Sequence, residues 1–134
     1  MSNLPAAVRD SLHGLAFGDA FGDRWFGILR RDGTAALEAR TPPPEPLWRW
    51  SDDTAQALVL VRELIEGGGT VDRDRLALRL AAAYAEDTHR GYGASMHDVL
   101  RRIAAGEPWR DVVAGQFGGQ GPGGGGARGR RRPR

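Results

Sequence analysis

At 134 residues, 40% hydrophobic and 27% charged, the chain has the size and composition of one domain with a modest core. Its formal net charge of +2 hides a split. The last twenty residues hold five arginines and no acid, leaving a body with 14 basic against 17 acidic groups, which argues against a nucleic-acid-binding fold outside that tail. The absence of cysteine excludes disulfides, thiolate zinc sites and cysteine nucleophiles together, so any metal must be held by oxygen or imidazole.

Residues 5–22 open on Pro5, a good first-turn residue, and space Val8, Leu12, Leu15, Ala16 and Ala20 as one helical face. Residues 27–50 lose that periodicity, and prolines at 42, 43, 44 and 46 forbid a helix interior there, so this stretch is predicted to be a long loop. A second helix is expected to begin at residues 51–54, where Ser51 and Asp52 are capping types, and to run through Leu58, Arg62 and Ile65 to the stop at Gly67, Gly68 and Gly69. A third follows over residues 72–85, with Leu76, Leu80, Ala83 and Tyr84 on one face, and a fourth over 95–105, with a short one opening at Pro108. No segment of the body alternates like a strand, so the fold class predicted is all-α. From Gly115 onward nine of the last twenty residues are glycine. Such a segment cannot offset its ordering entropy by burial, and disorder is expected. No apolar run spans a bilayer and residues 1–10 lack a secretory pattern, so no membrane contact and a cytoplasmic location are expected.

Four groups of residues could carry chemistry. Ser51, Asp52, Asp53 and Thr54 set adjacent carboxylates at a helix start, where a hard divalent cation would relieve their repulsion; the same residues are also ordinary N-capping types. Gly14, Gly18 and Gly22 recur every four residues and bare one helix face, for a packing neighbour or for a ligand. Asp19 lies within that stripe and needs a partner if buried. Arg90, Gly91, Tyr92 and Gly93 form a glycine-hinged turn, and the segment around Phe117, Gln120 and Gly121 is a glycine run whose backbone N–H groups suit phosphate. His13, His89 and His97 do not cluster and are given no catalytic role.

Taken in order, these pieces resemble the ADP-ribosylglycohydrolase family, which includes the dinitrogenase reductase-activating glycohydrolases. The family's G-x-x-x-G-D-A-x-G helix is matched from Gly14 to Gly22, its T-D-D-T helix start by Ser51, Asp52, Asp53 and Thr54, its G-Y-G turn by Gly91, Tyr92 and Gly93, and the start of its F-G-G-x-G stretch from Phe117. The resemblance covers residues 8–121 and implies a helical fold of orthogonally packed helices, with two Mg2+ ions in a cleft. By the same resemblance Ser51, Asp52 and Asp53 are the metal ligands, and Gln120 and Gly121 cradle an ADP-ribose group. The metals would hold the ribose hydroxyls and orient the water that attacks the anomeric carbon. Partners implied are an ADP-ribosylated protein or a small molecule containing ADP-ribose.

Two departures stand out. Some members carry a catalytic Glu four residues after the last glycine of the first motif, where this chain has Phe26, with Asp23 and Asp32 off register. After Gly121 the family pattern gives way to a Gly/Arg-rich run and its second metal-binding segment is missing, as a frameshift near codon 121 would produce. The expectation is therefore a partial domain over residues 1–121 and a disordered tail over 122–134, with hydrolysis of an ADP-ribosyl N- or O-glycosidic bond impaired by truncation. A non-catalytic ADP-ribose-binding remnant is one alternative. The other is a small helical module whose RGG-like tail binds nucleic acid.

Overall fold

A computed structural model of the chain describes residues 5–41 and 48–119. Among these residues every regular element is helical: α1 (Ala6–Asp32), α2 (Ala35–Glu38), α3 (Asp52–Glu66), α4 (Arg73–Glu86), α5 (Ala94–Ala104) and α6 (Trp109–Ala114), followed by a 3-10 turn at Gln116–Gly119. The all-α class is as expected from the missing strand alternation.

The predicted loop over 27–50 is corrected in its first half. The first helix continues ten residues past Gly22, and a further turn of helix forms α2. Trp25, Ile28 and Leu29 extend the apolar spacing of α1, and Ile28 is buried. One interior glycine costs only about 1 kcal/mol relative to alanine, too little for Gly27 to end a helix with that face to pack. The disorder expected from Gly115 is corrected for residues 115–119, where Gly115 caps α6 and the 3-10 turn follows. The proline segment 42–47, Gln120, Gly121 and the whole Gly/Arg-rich tail lie outside the described residues, as does the boundary placed between 121 and 122.

The helices are held together in two different ways. α4, α5 and α6 share an apolar core in which Ala81, Val99, Ile103 and Val112 pack with Trp109, and Tyr84, Tyr92 and Leu100 pack with Leu80 and Met96. α3 is joined to its neighbours largely through polar groups. Glu63, with no exposed surface, receives Arg75 of α4 at 2.6 Å and Arg79 at 3.2 Å, and accepts the backbone N–H of Asp72 at 3.1 Å. Burying a carboxylate this completely requires such pairing, and the two guanidinium groups with the amide supply it. At the end of α3, Gly67 is obligatory: a Cβ there would lie 2.1 Å from the Thr70 carbonyl oxygen. Between α1, α3 and α4 an apolar groove of about 1240 Å³ opens along Val8, Leu12, Leu58, Ile65 and Ala83. Among the described residues no helix is long and apolar enough to cross a membrane; α1 has the length, but arginines and aspartates interrupt it throughout.

Candidate functional site

The start of α3 is delivered to α1 by the residues that precede it. Phe17, Phe21 and Trp25 form a ladder of rings at i, i+4 and i+8 on α1, and Trp48 docks on it at 5.3 Å from Phe21 and 5.9 Å from Phe17, centroid to centroid. Such offset and edge contacts fix direction as well as burying area. Two residues on, Trp50 lies under the guanidinium of Arg90, 3.8 Å from ring centroid to Cζ, and its carbonyl accepts from Arg90 Nη1 at 3.3 Å. The segment is thus gripped from α1 on one side and from the α4–α5 loop on the other.

Asp19 completes the join. Its carboxylate accepts four hydrogen bonds: from the Ser51 backbone N–H at 2.8 Å and hydroxyl at 2.5 Å, and from the Thr54 backbone N–H at 3.1 Å and hydroxyl at 2.5 Å. An acid from a different helix therefore caps α3, satisfying donors that a helix start leaves open and meeting the positive end of its dipole. Ser51 is also the formal N-cap, but its own bond, accepted from Asp53 N–H, is long at 3.5 Å. Burial pushes the Asp19 carboxyl upward, and the bonds from Ser51 and Thr54 together outweigh it, so its pKa falls below the ordinary value.

Asp52 is in the opposite condition. Burial raises its pKa; its own N–H and the Ser51 hydroxyl pull the other way, but the charges of Asp53 and Asp19 add to the rise. Its partner is Gln56 Nε2 at 3.3 Å. Asp53 is exposed. Over Asp52 sits Gly91 with φ +89, a left-handed conformation suited to glycine. A Cβ at Gly91 would lie 3.7 Å from Asp52 Oδ1, 3.7 Å from Ser51 Cβ and 3.8 Å from Asp23 Oδ1. The glycine thus lets the backbone close over carboxylates from α1 and α3 at once.

The structure brings Ser51, Asp52, Asp53 and Thr54 together with Asp19, Asp23 and Gly91. Asp23, set aside in the sequence for being off register, stands one turn beyond Asp19 and reaches the same place; its i, i+4 relation to Asp19 is the signal that could have found it. Asp32 pairs with Arg31 at the surface, and Phe26 is 62% exposed on α1. Nothing among the described residues lies within 4 Å of a Cβ placed at Gly14, Gly18 or Gly22, so helix packing does not account for the stripe there. Tyr92 is buried against Tyr84, and His97 Nδ1 bonds the Tyr84 hydroxyl at 2.8 Å, a structural use of both. Gln120 and Gly121 lie outside the described residues.

The donor set, one hydroxyl and two neighbouring carboxylates, has the chemistry of a hard divalent cation site. Among the described residues no three of His, Asp or Glu gather into a cage. The set fits magnesium in the form in which that ion is commonly held, by one or two carboxylates with water and ligand oxygens filling the remaining positions. A family model described as ADP-ribosylglycohydrolase matches residues 2–129. No curated protein and no solved structure matches the chain.

Proposed function

Because this chain belongs to the ADP-ribosylglycohydrolase family, we propose that it acts by hydrolysing an ADP-ribosyl glycosidic bond, at a magnesium site formed where α1 meets the start of α3. The observation that supports this reading is the meeting of the two sequence motifs through Asp19, whose bonds to Ser51 and Thr54 bring the helix start that bears Asp52 and Asp53 against α1.

Each residue has a part in it. Ser51, Asp52 and Asp53 would hold the ion, and Asp52, raised in pKa by burial and by its neighbours' charge, is the carboxylate that a cation would relieve most. When bound, the ion supplies the positive charge that holds ribose hydroxyls and favours ionisation of a nearby water. Asp19 keeps the first turn of α3 from fraying, so that the ligand oxygens keep their spacing. Gly91 closes one side without adding bulk, and the bare face of Gly14, Gly18 and Gly22 leaves room for a substrate to lie along α1. The substrate class is an ADP-ribosylated protein or a small molecule containing ADP-ribose.

The test is release of ADP-ribose from a panel of ADP-ribosylated substrates, with magnesium or with EDTA. Release is expected only with the metal, and its loss in Asp52→Ala and Asp53→Ala should exceed tenfold. Release indifferent to EDTA and to both substitutions would overturn the reading. Binding of ADP-ribose without release would make the chain a reader of the modification instead.

A further inference from the structure

Three rings anchor the turn that brings Gly91 over Asp52. Tyr92, the next residue, is only 7% exposed, and its ring meets Tyr84 of α4 edge-on at 5.1 Å and His97 of α5 at 6.0 Å, centroid to centroid. Tyr84 and His97 also meet each other at 5.5 Å, and His97 Nδ1 lies 2.8 Å from the Tyr84 hydroxyl. Leu80, Met96 and Leu100 pack around the cluster.

We propose that Tyr84 and His97 are positioning residues for the cation site: their hydrogen bond fixes the Tyr92 ring, and Tyr92 keeps Gly91 in place over Asp52 only while His97 is neutral. That the ordered turn serves an ion at Asp52 and Asp53 rests on the function proposed above; that the pair orders the turn rests on its own contacts.

Burial gives the bond its direction. Tyr84 is 9% exposed, and among the described residues its hydroxyl has no hydrogen-bond partner besides His97. A buried O–H needs an acceptor, and an imidazole nitrogen accepts only when it carries no proton. Nδ1 is therefore the acceptor, and the proton of neutral His97 sits on Nε2. An imidazolium carries a proton on both nitrogens, so protonation removes the acceptor and sets two donors against each other. The turn depends on this anchor. On one side of Gly91 it is held by Arg90, which stacks on Trp50 and pairs with Asp87; on the other, past a glycine at φ +89, Tyr92 is the buried side chain before α5 begins at Ala94. Among the described residues the titratable groups that meet the His97 ring are Tyr84 from α4 and Tyr92 from the turn. The charges of Asp52, Asp87 and Arg90 act on Tyr92, and Asp98, beside His97 on α5, pairs with Arg101 and Arg102.

The experiment is an NMR titration of the full, metal-free chain over about pH 5–8, where imidazoles ordinarily change charge, following the His97 ring and the Gly91 and Tyr92 amides. It is run in a His89→Gln background, because His89 is exposed and lines the same cleft as Gly91. Both amides are expected to shift in step with the His97 ring. In Tyr84→Phe, which keeps the ring contacts and loses the hydroxyl, they should no longer follow it. Manganese affinity, measured by electron paramagnetic resonance near neutral pH, should fall about threefold to tenfold in that variant, as loss of one hydrogen bond implies. His97→Asn keeps an acceptor and cannot titrate; its affinity should stay within about threefold of the parent and decline less on acidification. Amides that ignore the His97 titration, or manganese affinity unchanged in Tyr84→Phe, would overturn the proposal. Amides that follow His97 in a chain that binds no manganese would keep the pair as the lock on the turn and remove the cation reading; manganese binding at Asp52 with Gly91 indifferent to His97 would do the reverse.

Discussion

Asp19→Ala tests how α3 is positioned. The substitution removes the acceptor for four donors, and these are unequal. Thr54 is 3% exposed, so its hydroxyl and amide would be left without partners in a site that water reaches poorly, at about 1–3 kcal/mol each. Ser51 is half-buried, and its two donors would turn to solvent for roughly 0.5 kcal/mol each. The loss expected is about 3–7 kcal/mol, a large part of the roughly 5–15 kcal/mol that holds a domain folded. Asp19→Asn keeps one carbonyl oxygen and loses the charge, and should cost only about 1–2 kcal/mol. Urea unfolding followed by far-ultraviolet circular dichroism measures both; at about 1–3 kcal/mol per molar urea, the alanine variant should move the midpoint down by more than 1 M with unchanged slope. The pH dependence has a definite sign. The folded pKa of Asp19 lies below its unfolded value, so its contribution is fully present above the ordinary aspartate range and is lost as pH falls through the depressed value. Asp19→Asn should therefore flatten the acid limb of the stability curve. An alanine variant within 1 kcal/mol of the parent, or one more stable than the asparagine variant, would show that α3 is not held this way.

Three further outcomes follow from the same geometry. Asp52 has a folded pKa above its unfolded value, so its ionisation costs stability at neutral pH and the cost disappears as pH falls; Asp52→Asn should raise the metal-free melting temperature at pH 7 and abolish the rise that magnesium gives the parent chain, both read by thermal scans. Gly91→Ala has space for its Cβ but not the backbone for it, at φ +89, and should cost about 1–2 kcal/mol in urea unfolding while weakening manganese binding measured by electron paramagnetic resonance. Glu63→Gln puts a fully buried neutral amide against the partly exposed guanidinium groups of Arg75 and Arg79, and its fall in melting temperature should exceed that of Glu107→Gln, which breaks a more exposed pair with Arg102.

The helices were legible because their determinants are local. Apolar spacing and the glycines after Glu66 gave α3 and α4 close to their observed ends, and Pro108 marked the start of α6. The misjudged element was the second half of α1. Gly22 and Gly27 suggested an end to a segment whose apolar spacing in fact continues through Trp25, Ile28 and Leu29, with Ile28 buried, and the glycines cost too little to break it.

The site divides along the same line. Neighbouring acids at a helix start are visible in the sequence as a pattern, but capping and cation binding use the same residue types, and only tertiary contacts separate them. The structure assigns the stronger capping to Asp19, an acid from another helix, with its hydrogen bonds to Ser51 and Thr54. Asp52 and Asp53 are thereby freed from the duty that the sequence alone would have given them. Asp52 is then a carboxylate made costly by burial and by like charge, a cost that its own N–H, the Ser51 hydroxyl and the Gln56 amide at 3.3 Å offset only in part. A carboxylate held at such a cost at the meeting point of two helices and a glycine turn is the physical reason to look there for a cation.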